Sequence, residues 1–96
     1  MPVLNFEYYN VNFKRYGTGS WLFVQGDVCN KGEKDYNTAV FRISMFDKKL
    51  LMWTGLFKIM GFKKRQTRHF EVPLDGFDYK RLPVMSKYEI YFETGY

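Results

Sequence analysis

The stretch LLMWTGLFKIMGFKKR, residues 50–65, decides how this chain folds. It is a dense apolar run closed by Lys63, Lys64 and Arg65. Wound as a helix, it gathers Trp53, Leu56, Phe57 and Met60 into a stripe with Lys58 on its edge, the pattern of a membrane-seeking amphipathic segment. Extended, it puts Leu51, Trp53, Phe57 and Ile59 on one side, interrupted by Gly55, and the cations become a turn leading into a further strand. Periodicity alone does not separate the two readings of a short apolar run. Two details favour strands: Gly55 and Gly61 each cost a helix about 1 kcal/mol, and Lys48 and Lys49 stand where a helix wants its N-cap.

The rest of the chain repeats with period two. In NTAVFRISMFD, Ala39, Phe41, Ile43 and Met45 share a face, with Thr38, Arg42 and Ser44 opposite. Leu22, Val24, Gly26 and Val28 alternate against Trp21, Phe23, Gln25 and Asp27. Phe70, Val72 and Leu74 oppose His69 and Glu71; Tyr88, Ile90 and Phe92 oppose Glu89, Tyr91 and Glu93. Each is the signature of a half-buried strand. Near the start, Leu4, Phe6 and Tyr8 alternate until the phase changes at Tyr9–Asn10, which marks a bulge or a break between strands. Turn chemistry punctuates the chain at YGTGS (16–20), NKGEKD (30–35) and FDKK (46–49), and a longer connection spans 73–86. Short strands at this spacing predict one domain over residues 1–96, an all-β antiparallel sandwich or barrel of six or seven strands.

Composition agrees. Of 96 residues, 21% are aromatic, with ten Phe and eight Tyr, the side chains that fill sheet-rich cores. Fifteen Lys and Arg against ten Asp and Glu leave a charge of +5, which favours acidic partners. Cys29 is the single cysteine, so no internal disulfide forms. The opening MPVLNFEYYN lacks the basic and apolar regions of a signal peptide, and no run reaches the roughly 20 apolar residues of a spanning helix. A cytoplasmic location is the default expectation, and an extracytoplasmic one if the chain is an excised domain.

From Trp21 to Phe92 the chain resembles the FxLYD family of immunoglobulin-like β-sandwich domains. The residues that carry the likeness are Val24-Gln25-Gly26-Asp27-Val28-Cys29-Asn30, Ile43-Ser44-Met45-Phe46-Asp47, His69-Phe70-Glu71-Val72 and Lys87-Tyr88-Glu89-Ile90. Two turns differ from the family pattern by becoming basic, at Lys48-Lys49 and at Lys64-Arg65. The resemblance implies an all-β antiparallel immunoglobulin-like β-sandwich of about six or seven strands, rather than a barrel, and names no substrate. Independently of it, Asn30 and Asp47 fall at strand ends, where short side chains fix turns through backbone N–H groups. Gly26 marks a place where a sheet or an aromatic ring approaches closely.

Catalytic chemistry is sparse. His69 has no Ser or Cys partner in view, which argues against a nucleophilic triad, and Cys29 reads as a small packing residue. Asp75 and Asp78 do not have the spacing of a calcium loop. No phosphate-cradling glycine loop is present. The expectation is a non-enzymatic module without metal, cofactor or small-molecule substrate. Two candidate surfaces remain. Lys58, Lys63, Lys64, Arg65 and Arg68 interleave with Phe62 and suit the anionic backbone of nucleic acid or an anionic membrane. Tyr8, Tyr9, Trp21, Phe23 and Tyr91 form an aromatic set suited to a protein partner or to self-association. An unpaired sheet edge is a third route to a protein partner. Binding to protein through an edge or aromatic face is the first expectation; anion binding centred on residues 58–68 is the alternative.

Overall fold

A computed structural model describes residues 5–15 and 22–96. Leu4, the turn at 16–20 and Trp21 lie outside the described residues. Six strands follow in chain order: β1 (Phe6–Arg15), β2 (Leu22–Asn30), β3 (Tyr36–Asp47), β4 (Leu50–Phe62), β5 (Thr67–Pro73) and β6 (Lys87–Gly95). They form two antiparallel three-stranded sheets, β1-β2-β5 and β4-β3-β6. A 3-10 helix at Tyr79–Val84 interrupts the connection from β5 to β6. The fold is an all-β antiparallel sandwich.

The helical alternative for 50–65 is therefore overturned. Leu50–Phe62 is one strand, residues 63–66 turn, and β5 follows. The reason lies in β3, which pairs in continuous register from Thr38↔Met60 to Met45↔Trp53. Gly55 leaves room for the Trp53 indole, since a Cβ there would stand 2.3 Å from its Cη2 atom. One inward expectation fails. A register shift at Met45/Phe46 brings Met52 as well as Trp53 against the core, and Leu51 is left 50% exposed.

Between the sheets, rings make a continuous chain. Phe70 stacks on Phe57 at 4.4 Å, and Phe57 on Phe41 at 5.0 Å. Phe41 meets the edge of Phe6 at 5.0 Å, and Phe6 stacks on Phe92 at 5.0 Å. These contacts tie β5, β4, β3, β1 and β6 together. Offset-stacked and edge-on geometries satisfy the ring quadrupoles while excluding water. Ala39, Phe41, Ile43 and Met45 are completely buried, as the alternation requires.

Local devices shape the strand ends. The phase change near Tyr9 is a bulge inside β1, not a break: the register against β2 shifts between Tyr9 and Asn12, and Asn10 adopts φ 55°. Asn tolerates that conformation better than most residues. Asn30 is buried, accepts the Gly32 N–H at 3.1 Å and donates to Lys34 O at 2.8 Å. At Gly26 a Cβ would stand 3.0 Å from Phe70 Cζ and 3.1 Å from Tyr9 O, so the close approach involves both a ring and a backbone. At the β3–β4 hairpin the capping side chain is Ser86 rather than Asp47, its hydroxyl accepting the Lys48 N–H at 2.7 Å.

Candidate functional site

The backbone ladders reveal which strand edges are open. Thr38 and Tyr96 exchange N–H···O bonds of 3.2 and 3.0 Å, and Phe46 O takes the Ser86 N–H at 2.8 Å. Even-numbered residues of β3 therefore face β6. Antiparallel alternation then pairs Arg42 with Tyr91, Ser44 with Glu89 and Phe46 with Lys87 by hydrogen bonds. It turns the N–H and C=O groups of Tyr88, Ile90 and Phe92 away from β3. No described strand pairs with them.

The same accounting applies to β1. Leu22 O accepts the Leu74 N–H at 2.9 Å, and the Asn30 N–H donates to Gln66 O at 3.0 Å, so even-numbered residues of β2 face the β5 side. The odd ones face β1, which leaves the backbone groups of Phe6, Tyr8 and, past the bulge, Phe13 turned outward.

These two open edges flank one seam of the sandwich, and aromatic side chains line it. Phe6 and Phe92 stack at its deep end, and Phe13 meets Tyr88 edge-on at 5.8 Å. Tyr8, Phe13, Ile90 and Phe92 are half-buried and Tyr88 is 40% exposed. Burial pushes the Tyr8 phenol up to about 12. On the outer face beside the seam, Arg42 donates to Glu93 through Nε at 2.9 Å and Nη2 at 3.3 Å. Lys87 lies 3.9 Å from Glu89.

The opposite seam is stapled. Arg68 Nη1 on β5 donates to Met60 O at 3.1 Å and contacts Gly61 O at 3.4 Å on β4. The Trp53 indole N–H donates to Asp75 O at 2.9 Å. The short turn at 63–66 joins the two strands directly.

Two members of the basic set, Arg65 and Arg68, have local partners. Arg65, at φ 68°, donates to Glu33 at 2.8 Å and to Lys31 O at 3.1 Å, and Arg68 is committed to the β4 carbonyls. Asp35 accepts the Lys64 N–H at 2.8 Å, which places a second carboxylate against the turn. Lys58 projects from the outer face of β4, and the side chains of Lys63 and Lys64 have no ion-pair partner among the described residues. The tight turn needs anchors, and the arginines supply them.

The aromatic set is divided. Tyr8 is half-buried on the inner face: it shares the parity of Phe6 ahead of the bulge and meets Phe41 edge-on at 6.2 Å. Tyr9 and Phe23 lie on the outer face of β1-β2-β5, where the Tyr9 hydroxyl donates to Glu7 and that bond raises the Tyr9 pKa. Tyr91 lies on the outer face of the other sheet, beside Arg42. Trp21 is outside the described residues.

Among the residues with conventional reactivity, His69 is exposed between two carboxylates, Asp27 at 3.1 Å and Glu71 at 3.4 Å. Hydrogen bonding to Asp27, then to Glu71, raises its pKa. Asp27 comes from the neighbouring strand, so sequence order hides it. Cys29 is buried. Asp78 accepts the Lys80 N–H at 3.0 Å and caps the 3-10 helix. No cluster of three metal-ligating side chains occurs among the described residues, and none of their helices is long and apolar enough to cross a membrane. Comparison with family models, with curated proteins and with solved structures gives no match.

Proposed function

We propose that this chain is a non-catalytic binding module that captures an extended segment of a protein partner along β6. The observation that carries the reading is the coincidence at Tyr88, Ile90 and Phe92. Their backbone groups point outward without a strand partner among the described residues, and their side chains remain incompletely buried in the β1/β6 seam. A strand laid against β6 satisfies the first and covers the second. That is β-augmentation, in which main-chain bonds supply affinity and alternate side chains supply selectivity. The strand order supports kinship with immunoglobulin-like domains of the FxLYD kind. Strands one, two and five in one sheet, and four, three and six in the other, follow the A-B-E and C′-C-F arrangement. In such sandwiches a further strand lies beside the sixth, at the position proposed here for the partner.

The test is a displayed random-peptide library panned against the chain. Selected peptides are expected to be extended and apolar at alternate positions, and to lose binding to Ile90→Pro. The Ile90 N–H points away from β3, so proline there blocks docking without removing a ladder bond. Peptides that bind Ile90→Pro as well as wild type overturn the reading.

A further inference from the structure

We infer that β6 pairs with β6 of a second copy of this chain, antiparallel across a two-fold axis at Ile90. The inference rests on reading β6 as a binding edge and names the occupant. Residues with outward backbone groups must oppose one another, which restricts the register to steps of two. Centred on Ile90, the regular stretch from Lys87 to Phe92 carries Lys87 to Glu93 of the second copy, at the bulge where the register of β6 against β3 shifts, and this occurs twice by symmetry. Glu89 lies opposite Tyr91, and on the inner face Tyr88 meets Phe92.

The neighbouring registers are repelled. Moving the axis toward Lys87 by one residue sets Glu89 against Glu89 of the second copy. Moving it the other way sets Glu89 against Glu93. Like charges directly opposite destabilise a strand pair, whereas opposite charges and aromatic pairs stabilise it. Arg42 already orients the Glu93 carboxylate on the outer face through bonds of 2.9 and 3.3 Å, so the incoming Lys87 meets an ordered partner. The contact is isologous and closes at two chains, joining β4-β3-β6 to its copy in one six-stranded sheet.

The experiment combines sedimentation with cysteine trapping on the full chain. Wild type is expected to show a concentration-dependent monomer–dimer equilibrium. Ile90→Pro removes both bonds across the axis and weakens it about 30-fold. Lys87→Glu, an exposed change that spares the fold, weakens it about tenfold. Opposed residues of a hydrogen-bonded pair stand about 5.5 Å apart at Cα, within disulfide reach. Ile90→Cys, oxidised with glutathione disulfide, is therefore expected to form a covalent dimer.

Tyr88→Cys alone is expected not to, because its symmetry mate lies about 14 Å away along the strand, whereas a mixture of Tyr88→Cys and Phe92→Cys chains crosslinks. A wild-type chain that stays monomeric into the millimolar range, with no covalent dimer from Ile90→Cys, overturns the pairing. So does crosslinking of Tyr88→Cys as readily as Ile90→Cys. The peptide panning decides the wider edge reading separately, since peptides sensitive to Ile90→Pro uphold it even when self-pairing fails.

Discussion

The rings of Phe57 on β4 and Phe70 on β5 lie parallel, 4.4 Å apart and tilted by 10°, and they join the two sheets through their edge strands. Phe57 continues the stack to Phe41, so the pair is one end of a chain of rings across the interior. Truncating Phe70 to Ala removes apolar burial and opens a cavity beside Gly26, whose backbone Phe70 approaches. The expected cost is about 3–5 kcal/mol, out of a total of about 5–15 kcal/mol for a domain of this length. Urea unfolding followed by circular dichroism checks it. A loss below about 1 kcal/mol contradicts the ring chain as the organiser of the core.

Gly55 and Gly61 serve β4 for different reasons, and alanine separates them. At Gly61 nothing lies within 4 Å of a Cβ, but φ is 60°, so alanine pays only for the left-handed backbone, about 1 kcal/mol. At Gly55 a Cβ collides with the Trp53 indole, which must swing away and abandon Asp75 O. The expected loss there is about 1–3 kcal/mol, with a red shift of Trp53 emission measured in a Trp21→Phe background. Unchanged emission in Gly55→Ala contradicts the placement of the indole.

The strands are legible in the sequence because alternation is a local property. Ala39, Phe41, Ile43 and Met45, or Phe70, Val72 and Leu74, announce their faces without knowledge of a neighbour. The 50–65 stretch is ambiguous because both periods fit it, and its resolution comes from pairing along the whole of β3, from Asp47↔Leu50 at the hairpin to Tyr36↔Phe62. Leu51 departs from its expected face because a bulge resets parity, and no residue type marks that bulge in the sequence. Open strand edges are legible in the sequence, but not their places. Which strand of six lies at an edge, and which of its backbone groups face out, depends on pairing order rather than on side chains. The partners of the basic set are hidden for a related reason. Arg65 and Arg68 look like free cations beside Lys63 and Lys64, yet tertiary contacts commit them to Glu33 and to the β4 carbonyls.

His69 gives the protein a defined pH response. Its bonds to Asp27 and Glu71 favour the imidazolium, so the folded pKa lies above the unfolded value of about 6.5. The contribution is therefore fully present below about pH 6.5 and is lost as pH rises through the higher folded value. Urea midpoints of wild type and His69→Asn, measured from about pH 5 to about pH 9, are expected to differ most at the acidic end and to converge at the alkaline end. Parallel curves contradict the ion pairing.

The basic turn makes a quantitative forecast about anions. With Arg65 paired to Glu33 and Arg68 anchored on Met60 O and Gly61 O, only Lys58, Lys63 and Lys64 of the five remain to meet phosphates. Binding of a single-stranded oligonucleotide at this end is then expected to weaken with salt at a logarithmic slope of about −2, from three cations, rather than about −3.5 from five. Stability divides the same residues differently. Arg68→Met leaves edge carbonyls to water and is expected to cost about 1 kcal/mol, while Lys63→Ala stays within about 0.5 kcal/mol. A fluorescence anisotropy titration across salt concentrations and one urea series check both halves. A slope near the five-cation value, together with an Arg68→Met variant as stable as wild type, shows the arginines to be free, and anion capture at residues 58–68 then becomes the better account of this chain.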